Sequence, residues 1–199
     1  MKSRSDIKIF IVGGGEIGRS LAGQLSRDGY ELTLIDRNPD VVKSLSNSFD
    51  IICFEGNGAS YTTLQELSAG KADIWIAVTE SDELNILSCM TAHMMGAKHT
   101  IARIRDVDYA RQNHFYKDKL GLSMIINPEL TAANEIAKVF QFPSAIRVDT
   151  FAKGRVELLH FKIGSNSPLC GLKLSKFHAT LHCNDILVCT IARNSEEVI

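Results

Sequence analysis

Short apolar runs alternate with amphipathic stretches along the first 142 positions. Residues 7–12, 31–35, 50–54, 73–78, 99–105 and 121–127 each carry enough branched and apolar side chains to read as a strand. The fourth (DIWIAV) is apolar enough to be buried on both faces. Between them the apolar spacing switches to that of a helix. Ile17, Leu21 and Leu25 form a stripe over 17–28, which Gly29 stops, and Val42 and Leu45 follow an Asn38-Pro39 start. Leu64 and Leu67 follow a Ser60 cap and precede Gly70 as a stop. Leu84, Leu87, Thr91 and Met94 share one face of a helix over 82–95, with His93 off that face and Met90, Met94 and Met95 read as ordinary packing. Asp106 caps a further helix to about residue 117. Asn127-Pro128 opens a last one, with Leu130, Ala133, Ala137 and Phe140 on one face and Pro143 beyond its end. Strand and helix thus alternate about six times, which predicts an α/β, Rossmann-like, doubly wound parallel sheet.

From residue 144 the rhythm changes. Residues 146–150 and 156–163 read as strands split by a turn at Lys153-Gly154, Ser167-Pro168 begins a break, and 185–192 reads as another strand. A piece this small buries little surface by itself. The expected division is therefore a nucleotide-binding domain over 1–142 and a small, incomplete α+β domain over 143–199. The ending at 196–199 carries no stop signal, so the chain is expected to be part of something longer. No internal repeat is visible.

Candidate chemistry concentrates where the first strand meets the first helix. Gly13-x-Gly15-x-x-Gly18 follows a strand and opens a helix, the context a dinucleotide fingerprint needs. The first glycine allows a tight turn, the second lets a pyrophosphate approach the backbone, and the third lets helix and strand pack closely. The phosphates would meet the free N–H groups and positive dipole end of the helix. Asp36 ends the second strand, within the window of about 20 residues where a carboxylate takes ribose hydroxyls. That carboxylate opposes a 2′-phosphate, whereas neighbouring Arg37 keeps NADP open.

Three further loops follow strand ends and so border the same crevice. Asn57 and Gly58 are either a plain turn or a contact on the adenine side. Thr79 and Glu80 precede a helix whose first turn Ser81, Asp82 and Glu83 suit as caps, and also fall at the crevice. Arg103 and Arg105 share a strand face with Ile101 and need anionic partners: a phosphate, a neighbouring subunit's acid, or Asp106, Asp108 or Glu80.

Composition narrows the classes. Across 199 residues the chain is 45% hydrophobic and 23% charged, with a formal net charge of −1, so there is no electrostatic case for nucleic acid. No run of 18 apolar residues exists, and the polar MKSRSD start is neither signal peptide nor anchor. The five cysteines form no C-x-x-C pair and read as reduced residues of a cytosolic protein. His178, His182 and Cys183 lack a fourth ligand at a recognised spacing, so no metal site is expected.

Together VGGGEIGRSLA, the strand ending in Asp36, GNG at 56–58, TESDELN at 79–85, IARIR at 101–105 and NPEL at 127–130 resemble the RCK (KTN) domains of TrkA-type proteins. These are the nucleotide-binding regulatory subunits of bacterial Trk potassium uptake. The resemblance is close over 7–142, and the segment from 144 on is similar to an incomplete RCK C-terminal domain. It implies binding of NAD(H), ATP or ADP, with Gly13, Gly14, Gly15, Glu16, Ile17 and Gly18 around the phosphates and Asp36 on the ribose. It further implies Thr79 and Glu80 in the pocket and Arg103 towards the phosphates or a subunit seam. It implies no catalytic residue, dimers building a tetrameric or larger ring, and a potassium-translocating membrane subunit of the TrkH/TrkG kind. The expected place is the cytoplasm, peripheral on the inner membrane. Full-length members often carry the two-domain unit twice. Glu16, acidic inside the glycine loop, is expected to disfavour a triphosphate. The alternatives are an NAD-dependent dehydrogenase, for which about 55 leftover residues hardly hold a substrate, and a redox-sensing DNA regulator, which lacks a basic helix-turn-helix pattern.

Overall fold

In a computed structural model the protein is described at residues 3–106, 108–109, 112–152, 155–181, 185–193 and 196–197. The chain divides into two compact units, Met1–Glu135 and Ile136–Ile199.

The first unit is built on six parallel strands: Lys8–Val12 (β1), Glu31–Asp36 (β2), Ile52–Glu55 (β3), Ile74–Ala77 (β4), His99–Arg103 (β5) and Met124–Ile126 (β6). Their order is β3-β2-β1-β4-β5-β6. The chain winds outward from β1 in one direction and then from β4 in the other, so the loops after β1 and β4 diverge and leave a crevice at the strand C-termini. The period of two sorts the core. Ile9, Ile11, Leu32, Leu34 and Ile76 face one side with Ala22 and Leu45, while Phe10, Val12, Trp75 and Ala77 face the other with Leu64, Ile86 and Cys89. Phe10 and Trp75 stack across neighbouring strands at 5.2 Å.

Among the described residues the strands are connected by the helices Glu16–Arg27 (α1), Pro39–Ser48 (α2), Tyr61–Glu66 (α3), Asp82–Met95 (α4) and Asn113–Leu120 (α5); Pro128–Gln141 (α6) follows β6 and runs across the division between the units. α1 rides closely on the sheet because Gly18, Ala22 and Gly23 are its fully buried positions, with Ile17, Leu21 and Leu25 packing at the rim. Asn38 caps α2 by accepting from the Asp40 N–H at 3.0 Å. Ser60 occupies the cap position of α3 without a side-chain bond to it. Gly70 does not end that helix. α3 stops at Glu66, Ser68 takes a left-handed conformation, and Gly70 lies in the 3-10 turn Ala69–Lys71, where a Cβ would overlap the Met95 carbonyl.

Of the apolar stripe expected to bury α4, Leu84 packs against the core, whereas Leu87 and Met94 turn outward. Leu87 is 51% and Met94 83% exposed. The buried face carries Asp82, Asn85, Ile86, Ser88, Cys89 and Ala92, three of them polar. Met90 and Met95 do pack against the core, and exposed His93 lies against Gly121. The expected stripe of α6 is likewise uncovered, and none of its described residues is buried.

Cys89 is fully buried, and desolvation pushes its thiol pKa up to about 12. It is therefore expected to resist iodoacetamide at pH 8 in the folded protein while the exposed Cys170 and Cys189 react, and mass spectrometry of the alkylated chain reads this directly.

In the second unit Ala145–Phe151 (β7) and Val156–Phe161 (β8) pair antiparallel; Lys153-Gly154, the expected turn, lies outside the described residues. Phe177–Leu181 (α7) is a short helix. The strand expected over 185–192 is reduced to Ala192–Arg193 (β9), which pairs with Glu196–Glu197 (β10). No described residue beyond 135 is buried. A lone two-stranded hairpin has too little area to form a core.

Candidate functional site

The crevice is assembled from backbone hydrogen bonds that prolong the sheet. Gly13 N–H donates to the Ile35 carbonyl at 2.8 Å and Val78 N–H to the Val12 carbonyl at 2.8 Å. Gly13 has φ +102°, and a Cβ there would press on the Thr79 backbone. At Gly18 a Cβ would overlap the Gly13 carbonyl oxygen. At Gly15, by contrast, a Cβ would meet no atom within 4 Å. Protein packing therefore demands glycine at 13 and 18, and at 15 leaves open space above the cap of α1. That space, beside unpaired first-turn N–H groups, fits a phosphate pair. Glu16 is exposed in the same first turn, and Ile17 is half-buried behind it.

Asp36 locks this loop to β2. One carboxylate oxygen accepts the Gly14 N–H at 2.7 Å and the other the Asn38 N–H at 2.8 Å. Each oxygen retains a lone-pair direction, as a ribose diol needs. Arg37 is exposed beside it. Asn57 makes the turn at the end of β3, its side-chain oxygen accepting the Ala59 N–H at 3.0 Å. Gly58 rests so closely on Val12 that any side chain would collide.

Three buried residues of α4 hold the remaining loops in place: Asp82, which the sequence suggests as a cap, and Asn85 and Ser88, to which it assigns no role. Asn85, fully buried, accepts the Thr79 N–H at 2.9 Å and hydroxyl at 2.7 Å. Its amide donates to the carbonyls of Thr79 at 3.1 Å and Arg103 at 2.9 Å. Ser88 accepts the Trp75 indole N–H at 2.9 Å and donates to the Gly58 carbonyl at 2.6 Å. Asp82 accepts the N–H groups of Arg105 and Asp106, both at 2.8 Å. The only signal for these roles was polar residues at positions 82, 85 and 88, spaced to share one face of a helix with otherwise apolar neighbours. Ser81 caps α4 as expected, accepting the Leu84 N–H at 3.1 Å.

The arginines find other partners than the acids weighed above. β5 ends at Arg103, so Arg105 lies beyond it. Arg103 pairs with Glu129 at the start of α6 and reaches the Thr79 carbonyl at 3.4 Å. Its side chain is only 12% exposed, and its Nε is buried without a hydrogen-bond partner. Arg105 pairs with Asp82 at 3.7 Å and with the Glu80 backbone carbonyl, not the Glu80 carboxylate. Asp106 instead accepts the Asp108 N–H at 2.7 Å. The Glu80 side chain is exposed.

An open groove of about 560 Å³ between α1 and the end of α2, lined by Arg19, Arg27, Phe49 and Asp50, shares none of these residues. Among the described residues no group of three or more His, Cys, Asp or Glu side chains could hold a metal ion. His182 and Cys183 lie outside those residues.

Comparison with known proteins agrees with this architecture. The family model for the TrkA-N domain matches residues 9–128. The Trk system potassium uptake protein TrkA of Haemophilus influenzae is 30% identical over 195 residues, which cover 96% of this chain and 43% of that protein. The chain thus spans less than half the length of that curated relative. Among solved structures, the TrkA-N domain of the inner membrane protein ybaL from Escherichia coli superposes with a TM-score of 0.59 at 18% identity, covering 70% of this chain and 98% of that one. The GsuK channel bound to NAD gives 0.58 at 17% identity, covering 77% and 27%. A glycine loop after β1, an acid at the end of β2 and a parallel sheet in this strand order therefore accompany a direct sequence match over most of the first unit, and the chain belongs to the TrkA-N domain family.

Proposed function

We propose that the chain is the nucleotide-sensing part of a cytoplasmic regulatory subunit for potassium transport, taking NAD(H), ATP or ADP in the crevice between β1 and β4. The observation that carries this is the open space over Gly15 framed by Asp36, one of whose oxygens fastens the glycine loop while both still have acceptor capacity. Gly13, Gly14, Gly15, Glu16, Ile17 and Gly18 surround the phosphates, and Asp36 takes the ribose with Arg37 at its side. Asn57 and Gly58 border the adenine, while Thr79, Glu80 and Arg103 close the far wall. The relative named as a potassium uptake protein and the neighbour solved with NAD support this assignment.

The domains would be 1–142 for nucleotide and 143–199 for part of a C-terminal domain, and the subunits would assemble as dimers into a larger ring under a TrkH/TrkG-like membrane protein. Regulation follows from differential affinity. A nucleotide that binds one arrangement of subunits better shifts the population towards it, and the membrane protein responds to that shift.

Calorimetric titration with NADH, NAD+, ATP and ADP tests this. Wild type is expected to bind at micromolar levels without consuming NADH, and Asp36→Ala to bind about ten-fold more weakly or worse through loss of the ribose contact and the loop tether. Binding of none of the four would overturn the assignment. NADH consumption with an added carbonyl compound would make the protein a dehydrogenase.

A further inference from the structure

The acids and bases around the crevice are unequally engaged, and this bears on which nucleotide class it takes. Arg103 is held by Glu129 and the Thr79 carbonyl, and Arg105 by Asp82 and the Glu80 carbonyl. Arg19, one turn into α1, donates to the Ser44 hydroxyl at 2.8 Å. Each of these arginines is therefore directed to a partner within the chain. Arg37 is exposed, but it follows Asp36 on the ribose side. On the phosphate side the first turn of α1 carries exposed Glu16, and the β4 loop carries exposed Glu80. Asp36 and Glu55 end neighbouring strands in register, adding negative charge on the ribose side.

An acid in a first helical turn ordinarily stabilises the helix. At a phosphate site it also competes with the ligand for the same N–H groups and dipole. The two phosphates of a dinucleotide are joined by an anhydride, and each carries one ester and one charge. A nucleoside triphosphate adds a terminal phosphate, bound only through an anhydride, which takes a second charge near neutral pH.

Resting on the nucleotide assignment above, we propose that Glu16 makes the crevice selective for a dinucleotide over a nucleoside triphosphate. Its carboxylate opposes the terminal phosphate while the α1 N-terminus still neutralises an internal pyrophosphate. Glu16 acts on the ligand directly, through space, and Arg103 and Arg105 are already balanced by Glu129 and Asp82.

The test is calorimetric affinity for NADH and ATP, without divalent cations, on wild type, Glu16→Gln and Glu16→Ser. Wild type is expected to bind NADH more tightly than ATP. Both variants are expected to tighten ATP about five-fold more than they tighten NADH, with the difference shrinking as salt is raised. Circular dichroism confirms that the variants fold, which an exposed first-turn position permits. An unchanged ATP-to-NADH ratio in both variants would overturn the proposal, as would equal tightening of both ligands or a wild type that prefers ATP. Failure of wild type to bind either ligand is a separate result that removes the nucleotide assignment itself.

Discussion

Gly18→Ala is expected to destabilise the first unit by about 3 kcal/mol and to abolish nucleotide binding, whereas Gly15→Ala keeps stability within about 1 kcal/mol and loses binding alone. The contrast comes from where each added methyl points. At Gly18 it overlaps the Gly13 carbonyl oxygen, a backbone atom fixed in turn by the Gly13 N–H bond to Ile35. Relief requires α1 to lift off the sheet or the loop to move, and either breaks the Gly14–Asp36 bond. At Gly15 the methyl enters open space at a residue with φ −64°, which alanine adopts without strain. It would occupy the position proposed for the pyrophosphate. Urea denaturation and calorimetry on the two variants separate the effects. Equal destabilisation by both would show that Gly15 serves packing, and undiminished affinity in Gly15→Ala would show that no ligand reaches that surface.

Asn85→Ala is expected to cost about 3 kcal/mol, because four polar groups around a fully buried amide each lose a partner at once. The Thr79 N–H and hydroxyl lose an acceptor, and the carbonyls of Thr79 and Arg103 lose a donor. Asn85→Asp retains the acceptor but removes the two donors and places a charge against two carbonyl oxygens, so it should be no better tolerated. Thr79→Val removes only the hydroxyl and is expected to cost about 1 kcal/mol. A double-mutant cycle of Asn85→Ala with Thr79→Val should then show coupling of about 1 kcal/mol, since both changes remove the one bond between the Thr79 hydroxyl and Asn85. Additivity of the two losses would mean that Asn85 acts through packing and not through the loop it holds.

Both predictions concern the same crevice, but they differ in how early they were visible. The glycine spacing and the acid ending β2 lie within about 30 consecutive residues, and each strand-helix step of the alternation is as local. The requirements behind them are local: a turn with positive φ, a close helix and a strand end. The helix bounds at 82–95 were legible for the same reason, with Ser81 before and Gly96 after. The burial of that helix was not. Leu84, Leu87, Thr91 and Met94 repeat at the spacing of a buried stripe, yet Leu87 and Met94 lie outward and only Leu84 reaches the core, while Asp82, Asn85 and Ser88 face the sheet. Hydrophobic periodicity assumes that a polar side chain is better left in water. That assumption fails when loops from other strands bring backbone partners to it.

The sequence by itself determined the doubly wound architecture, the position of the glycine loop and the carboxylate opposite it, because each rests on backbone conformation and burial over neighbouring residues. Tertiary structure alone decided that Glu129 and Asp82 are the partners of Arg103 and Arg105, and that α4 anchors the loops at 58, 79 and 105. Apart from the bonds of Asn85 to Thr79, six positions away, these pairings join residues about 20 or more positions apart along the chain. They form only when the sheet order sets β5 between β4 and β6, where a buried charge or amide takes whichever complementary group the fold brings within reach.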